Sequence, residues 1–125
     1  MKNLLIDTDV LIGFLRGEES ARGFLLSAIN DYAILCSAIT VAEIHAGMRD
    51  SERQQTEALL DSLSIVDITK KAAEKAGNYK KEEKRQALEL DDCLVAASAF
   101  TMNAVLATGN GKHYPMTEIN KVIVK

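Results

Sequence analysis

The chain has 125 residues, of which 47% are hydrophobic and 26% charged, and it contains a single proline. These values describe an ordinary globular protein of about one domain, and they exclude disordered and fibrous classes. No apolar run approaches the ~20 residues that span a bilayer, so we expect no membrane segment.

Charge is unevenly distributed along the chain. The net charge is −3, which argues against a uniformly basic nucleic-acid-binding domain. Residues 70–85 hold seven basic and three acidic side chains, a local charge of +4, so the remainder sums to −7. A cluster of cation-binding carboxylates would account for part of that acidic remainder.

Cysteine usage and the first residues predict the compartment. Cys36 and Cys93 both lie in apolar stretches and are too few for a disulfide framework. We therefore expect two reduced, buried thiols in a cytoplasmic protein. The start of the chain reaches Asp7 after three apolar residues, which is unlike a signal peptide.

Short apolar runs alternate with amphipathic stretches from one end of the chain to the other. The predicted strands are residues 3–7, 32–37, 64–68, 104–108 and 121–124, and the predicted helices are residues 10–16, 20–30, 41–48, 52–63, 69–85 and 92–102. This alternation predicts an α/β fold, a three-layer α/β/α sandwich around a mostly parallel sheet of about five strands. With no repeat or linker visible, residues 1–125 are expected to form a single domain.

The first predicted strand ends at a carboxylate. Ligands of open α/β sheets bind beyond the carboxyl ends of the strands, which makes Asp7 a candidate site residue. Helix capping is an equally good account of Asp7 alone. However, the predicted helix needs only one cap, and Thr8 or Asp9 lies closer to its start.

A second carboxylate follows the second strand, which ends at Ser37. Thr40 and Glu43 have the spacing of a capping box, in which the Glu43 side chain would reach back to an exposed backbone amide. Capping is the simpler account of Glu43 taken alone. The alternative account places Glu43 at the mouth of the same crevice as Asp7.

The remaining polar candidates fall at the last helix and the fourth strand. Asp91 and Asp92 exceed what capping needs, so we expect Asp91 to cap the helix and Asp92 to point inward. Thr108 and Asn110 end the fourth strand; turn formation explains Asn110 but not why both polar side chains fall at this edge. An amide oxygen such as that of Asn110 can bind a metal directly or through water.

Three carboxylates converging on one crevice would repel one another and lose hydration unless a cation joined them. Oxygen ligands such as Asp7, Glu43 and Asp92 suit Mg²⁺ or Mn²⁺, which keep several waters and accept phosphate oxygens. Such ions activate water and neutralise charge in phosphodiester cleavage. The residues therefore predict metal-assisted phosphoryl chemistry and do not identify its substrate.

Four segments, in order and along essentially the whole chain, resemble the PIN domain of the VapC toxin family. They are residues 5–12 (LIDTDVLI), residues 37–47 with Ser37, Thr40, Glu43, Ile44 and Gly47, residues 92–99 (DCLVAASA) and residues 106–114 (LATGNGKHY). The resemblance implies a metal-dependent endoribonuclease whose Asp7, Glu43 and Asp92 bind Mg²⁺ or Mn²⁺. It also implies RNA as the substrate, a homodimer and inhibition by a small cognate antitoxin. Many relatives carry a fourth acid where this chain has Asn110, which puts a second-metal role in doubt.

Residues around the three acids receive supporting roles in this hypothesis. They are Thr8, Ser37, Asp91, Thr108 and Asn110, with Lys112 and His113 as RNA contacts. A solvated loop explains Lys112 and His113 equally well. His45 lies two positions after Glu43 and is expected to face away from the site. The basic stretch 70–85 is read as a solvated helix face in preference to a surface that steers RNA.

Two further points stay open at the level of sequence. The large apolar residues between Leu11 and Leu26 are expected mainly in the core, and any that stay exposed would form a patch for an antitoxin. Two alternatives to the nuclease also remain. One is a non-catalytic PIN-fold module that binds RNA or protein, favoured by Asn110. The other is a phosphatase of the haloacid-dehalogenase type, whose motif has Thr where this chain has Leu11.

Overall fold

A five-stranded parallel sheet forms the centre of the molecule in the computed structural model, which describes residues 1–125. The strands are β1 (Lys2–Ile6), β2 (Tyr32–Ser37), β3 (Ser64–Val66), β4 (Ala104–Thr108) and β5 (Lys121–Ile123). Their order across the sheet is β3-β2-β1-β4-β5, and every neighbouring pair is parallel. The predicted strands are thus all present, with β3 two residues shorter than expected.

Six α-helices follow the strands, as predicted. They are α1 (Thr8–Leu15), α2 (Glu19–Ala28), α3 (Ala38–Gly47), α4 (Arg53–Asp61), α5 (Lys70–Glu82) and α6 (Leu90–Thr101). The stretch predicted as one helix over 52–63 is divided, because a short 3₁₀ helix at Asp50–Glu52 precedes α4. A second 3₁₀ helix, Gly111–His113, follows β4.

The alternation of side chains along β1 places helices on both faces of the sheet. Leu4 and Ile6 pack in a core with residues of α1, α2, α3 and α4. Leu5 points to the opposite face and packs with Val95 and other residues of α6, while α5 packs on α6 through a third cluster of small side chains. The predicted three-layer α/β/α sandwich is therefore confirmed.

The helices α1, α3 and α6 begin two or three residues earlier than predicted, and this corrects their expected caps. Asp7 itself is the N-cap of α1, so the preference for Thr8 or Asp9 was wrong. Ser37 is the N-cap of α3. The capping box predicted from Thr40 is absent because that residue lies buried inside the helix. Glu89 precedes α6, which leaves Asp91 in the first turn and excludes it as the cap.

The strand order fixes where a ligand site can form. From β1 the chain steps outward through β2 to β3, then crosses to the other side of β1 for β4 and β5. The order therefore reverses between β1 and β4, and the crevice at such a switch point is where open α/β sheets bind ligands. Asp7 and Thr108 lie at that point, directly after β1 and at the end of β4.

Two other sequence expectations concern burial and membranes. Cys36 and Cys93 are both free and buried, as predicted. No helix combines the length and the apolar character needed to cross a membrane.

Candidate metal centre

Asp7 connects the end of β1 to the end of β4. Its side chain is only 7% exposed. Asp7 Oδ1 accepts a hydrogen bond from the Thr8 amide at 2.8 Å, and Oδ2 accepts one from the Thr108 hydroxyl, also at 2.8 Å. The Thr108 hydroxyl in turn accepts a hydrogen bond from the Asn110 amide at 3.1 Å. Thr108 therefore contacts the candidate ligand Asp7 directly.

Glu43 reaches the same region from the second turn of α3. Its Oε1 accepts a hydrogen bond from the Thr8 hydroxyl at 2.7 Å, and Thr8 Oγ1 also lies 3.0 Å from Thr40 Oγ1. Burial, followed by contact with the Asp91 side chain, raises the pKa of Glu43 from 4.5 to about 7. The Thr8 hydrogen bond opposes that shift because it stabilises the carboxylate.

Asp92 faces inward from the first turn of α6, as predicted. Its Oδ1 lies 3.4 Å from the hydroxyl of Tyr114, and its Oδ2 lies 3.3 Å from Nδ1 of His113. Burial and then the charge of Asp91 raise the pKa of Asp92 from 3.8 to about 6. Asp91 thus belongs with the acids of the site, since it also contacts Glu43.

The three predicted acids share one electrostatic environment. The negative charge of Asp7 contributes to the raised pKa of both Glu43 and Asp92. No group of three His, Cys, Asp or Glu side chains is already arranged as a set of metal ligands. The charge of Asp7 thus acts on Glu43 and Asp92. Each of the three carboxylates also has a hydrogen-bond or ionic partner of its own.

The donor chemistry at this crevice fits a hard divalent cation. Asp7, Glu43, Asp91 and Asp92 offer carboxylate oxygens only, the ligands that Mg²⁺ and Mn²⁺ favour. A cation would also favour the ionised carboxylates of Glu43 and Asp92, whose pKa is raised first by burial and then by neighbouring acids. His45, at the exposed end of α3, adds no imidazole to this set.

Two residues near the site were not singled out from the sequence. Burial and the charge of Asp7 raise the pKa of Asp9, whose Oδ2 accepts a hydrogen bond from the Gly109 amide at 3.1 Å. A Cβ on Gly109 would lie 2.6 Å from that oxygen, so a larger residue at 109 would displace the Asp9 side chain. Tyr114 is fully buried and places its hydroxyl beside Asp92. Asp9 could have been found from its position in the first turn of α1, but the predicted helix began at residue 10 and left Asp9 outside it.

Of the other residues proposed to support the site, Ser37 is buried, whereas Asn110 and Lys112 are exposed. Ser37 is fully buried, and its hydroxyl lies 2.9 Å from that of Ser98, so it joins α3 to α6. Asn110 is exposed, and its Nδ2 lies 3.0 Å from Nε2 of His113, which in turn contacts Asp92. Lys112 is exposed on the same loop.

Comparison with known proteins agrees with this architecture. The PIN domain family model matches residues 4–118. Ribonuclease VapC10 of Mycobacterium tuberculosis is 38% identical over 117 residues, covering 92% of this chain and 88% of that protein. Ribonuclease VapC19 of the same organism is 33% identical over 115 residues, covering 90% of this chain and 92% of that protein.

Solved structures share the fold over nearly the full length. The VapBC2 structure from Rickettsia felis, bound to a promoter DNA fragment, has a TM-score of 0.85 at 21% identity, covering 98% of each chain. A toxin–antitoxin complex from Klebsiella pneumoniae has a TM-score of 0.81 at 26% identity, covering 94% of this chain and 95% of that one. With 38% identity to a VapC ribonuclease and a family match over residues 4–118, this chain belongs to the PIN domain family and, within it, to the VapC proteins.

Proposed function

We propose that the protein is a metal-dependent endoribonuclease and the toxin of a VapBC-type toxin–antitoxin pair. The observation that carries this proposal is the approach of Asp7, Glu43 and Asp92 to one another at the switch point of the sheet, where burial, with a contribution from the charge of Asp7, raises the pKa of Glu43 and Asp92. Relatives at 38% and 33% identity are named ribonucleases, which supports RNA as the substrate. We place the activity in the cytoplasm, consistent with two free thiols.

In the proposed site, Asp7, Glu43 and Asp92 hold Mg²⁺ or Mn²⁺. When bound, the ion supplies an activated water and neutralises charge on the phosphodiester. The chain's own hydroxyls orient the carboxylates: Thr108 holds Asp7, and Thr8 holds Glu43. These contacts fix the carboxylates on rigid elements, which is what positioning of a metal ligand requires.

The proposed protein partner is a small antitoxin that covers part of α1 and α2. Leu11 and Leu25 are buried, so they belong to the core and cannot contribute a surface. Leu26 on α2 is 60% exposed and supports the expected apolar patch, which Ile29, just after α2 and 55% exposed, extends. The similar solved structures include complexes of toxin with antitoxin from several organisms. A homodimer is part of the proposal, with the exposed Leu90 and Phe100 of α6 as its support.

The proposal is tested by RNA cleavage with Mg²⁺, with Mn²⁺ and with excess chelator. We expect cleavage only with metal. The substitution Glu43→Gln should reduce cleavage by more than the roughly 100-fold that loss of an outer-shell partner can cause. The matched control is Glu57→Gln, because Glu57 is a half-exposed acid of α4 paired only with Arg53. That variant should cleave RNA at the wild-type rate.

Two results would contradict the proposal. Undiminished cleavage in excess chelator would exclude the metal mechanism. RNA binding without cleavage in any divalent ion would instead favour the non-catalytic module, the alternative suggested by Asn110. The phosphatase alternative loses its support because the chain belongs to the PIN domain family.

A further inference from the structure

A basic groove lies beside the carboxylates, on the other side of the loop that follows β4. Its lining residues, called here the lysine groove, are Gln86, Gly109, Asn110, Gly111, Lys112, Pro115, Lys121, Ile123 and Lys125. Three of these nine residues are lysines and none is acidic, in a chain whose net charge is −3. The groove is therefore a local exception to the charge of the molecule.

The lysine groove adjoins the proposed metal centre through named contacts. Asn110 lines the groove and contacts His113, which lies 3.3 Å from the Asp92 carboxylate. Gly109 also lines the groove, and its amide donates a hydrogen bond to Asp9. The loop 109–113 thus has carboxylates on one side and lysines on the other.

The groove is a built surface whose walls are fixed by hydrogen bonds. Lys121 Nζ donates to the carbonyl oxygens of Gly111 at 3.1 Å and Tyr114 at 2.7 Å. An ammonium group has three donors, so one remains for a ligand. Gln86 Nε2 donates to the Lys112 carbonyl at 2.9 Å, which holds the other wall. Lys112 and Lys125 form no ion pair with any acid of the chain.

The other basic region, on and after α5, is less available to an anion. Lys75 lies 2.6 Å from Glu118 and over the Phe100 ring. Lys80 donates to the Leu88 carbonyl, and Arg85 pairs with Glu83. Several cations of the stretch 70–85 are thus already committed within the chain.

We propose that the lysine groove binds the phosphate backbone of the RNA substrate on one side of the cleaved bond. The proposal rests on the proposed ribonuclease function and adds a path for its substrate. The carboxylates repel a polyanion, so affinity for RNA has to come from cations outside the metal centre. Contacts of lysine with phosphate are independent of sequence, and they position the strand without selecting the bases.

The test measures RNA binding as a function of salt in a Glu43→Gln background, which keeps the RNA intact, at fixed Mg²⁺. The double substitution Lys112→Ala with Lys125→Ala should weaken binding on the order of tenfold at 0.1 M salt, because each phosphate contact on single-stranded RNA adds ~0.7 to the salt slope. The slope should fall by roughly 1.4. Lys121 is left unchanged because it fixes the loop.

The matched control carries Lys71→Ala with Lys81→Ala on α5, which removes the same charge from two exposed lysines. The RNA affinity of this control should stay within about twofold of that of the Glu43→Gln protein, because no phosphate contact is lost. Its salt slope should differ by no more than ~0.3. If both double variants lose RNA affinity equally, or if neither loses it, the proposal that the lysine groove binds RNA is wrong. A groove variant that binds RNA normally but loses an acidic protein partner would also overturn it.

Cleavage by otherwise wild-type protein separates the two proposals. If metal-dependent cleavage is present and the groove variant has the same kcat/KM and salt dependence as wild type, the groove proposal fails alone. If wild-type protein cleaves no RNA with any divalent ion, the proposed function fails and the groove proposal fails with it.

Discussion

The two oxygens of Asp7 have separate partners, and this divides structural from electrostatic roles in one side chain. Oδ1 accepts a hydrogen bond from the Thr8 amide and so caps α1, while Oδ2 accepts one from the Thr108 hydroxyl at the end of β4. Its charge, in contrast, opposes ionisation of Asp9, Glu43 and Asp92. Capping needs an oxygen, and metal binding needs the charge.

Asp7→Asn is therefore expected to abolish RNA cleavage while leaving metal-free protein at least as stable as wild type. Asparagine caps helices as well as aspartate does, and removal of the charge relieves repulsion among the neighbouring acids. Mg²⁺ should stabilise wild type by binding only its native state, and should stabilise the variant less. Thermal melts of both proteins with Mg²⁺ and with chelator measure these differences.

Asp7→Ala is the control for the capping role. It loses the capping oxygen and should be less stable than wild type by about 1 kcal/mol in chelator. The difference should be larger in Mg²⁺, because the proposed ligand is lost as well. An Asp7→Asn variant that is destabilised but keeps the wild-type response to Mg²⁺ would rule out Asp7 as a ligand.

At this scale the sequence predicted the inward acids better than their surroundings. Asp7 was singled out because it follows a strand, Asp92 because it lies near the start of a helix, and Glu43 because it lies in the helix that follows the second strand. Tyr114 was missed because its burial depends on the Gly111–His113 turn, whose path no local pattern reveals.

At the scale of elements, the packing of α5 against α6 depends on small side chains. Ala72 and Ala76 of α5 are buried against Cys93 and Ala97 of α6. Asp92 lies in the first turn of α6, so the same packing sets the position of a proposed metal ligand.

Ala76→Leu should lower the free energy of unfolding by about 1–3 kcal/mol, the usual cost of an oversized side chain in a packed core. Ala73→Leu, three residues earlier on the same helix, is the matched control because Ala73 is exposed. That control should change stability by no more than about 0.5 kcal/mol. Urea unfolding measures both; equal effects of the two substitutions would show that the interface tolerates larger residues.

Strands and helix starts differed in how far they could be predicted. Continuous apolar runs located all five strands. The runs of β1, β2 and β4 are largely buried, as expected for the inner strands of a parallel sheet, whereas the edge strands β3 and β5 are mostly exposed. Helix starts were less certain because several cap-forming residues precede each helix. Ser37 and Thr40 are both suitable caps, and the choice depends on tertiary contacts, since Ser37 meets Ser98 and Thr40 meets Thr8.

At the scale of the whole molecule, we propose that residues 1–125 form one domain. Both outer layers pack on the same sheet, and the site takes residues from β1 through the loop after β4. Unfolding should then be a single transition, with coincident loss of secondary and tertiary signals.

That transition should depend on pH in a particular direction when metal is absent. The pKa of Glu43 rises from 4.5 to about 7 in the folded state, and that of Asp92 rises from 3.8 to about 6. Between about pH 4 and about pH 7 the folded protein therefore binds more protons than the unfolded chain. The free energy of unfolding should therefore fall as pH increases from about 4 to about 7.

Denaturant titrations in chelator across this pH range measure the effect. Glu43→Gln removes one of the two titrating groups and should flatten the decline above about pH 6. In wild type, saturating Mg²⁺ should oppose the fall in the free energy of unfolding with rising pH, because the ion favours the ionised carboxylates. Stability that rises with pH over this range in chelator would contradict the proposed origin of these shifts.

The central position of β1 has a consequence for how the protein is made. This strand is synthesised before both of its neighbours, and one of its two hydrogen-bonding edges is filled only by β4. Thr108, which holds Asp7, is synthesised 101 residues after it. At about 5–20 residues per second, translation takes roughly 5–20 s to supply it. A nascent chain that has not reached β4 therefore lacks part of the proposed site, so any nuclease activity would begin only after Thr108 has been synthesised.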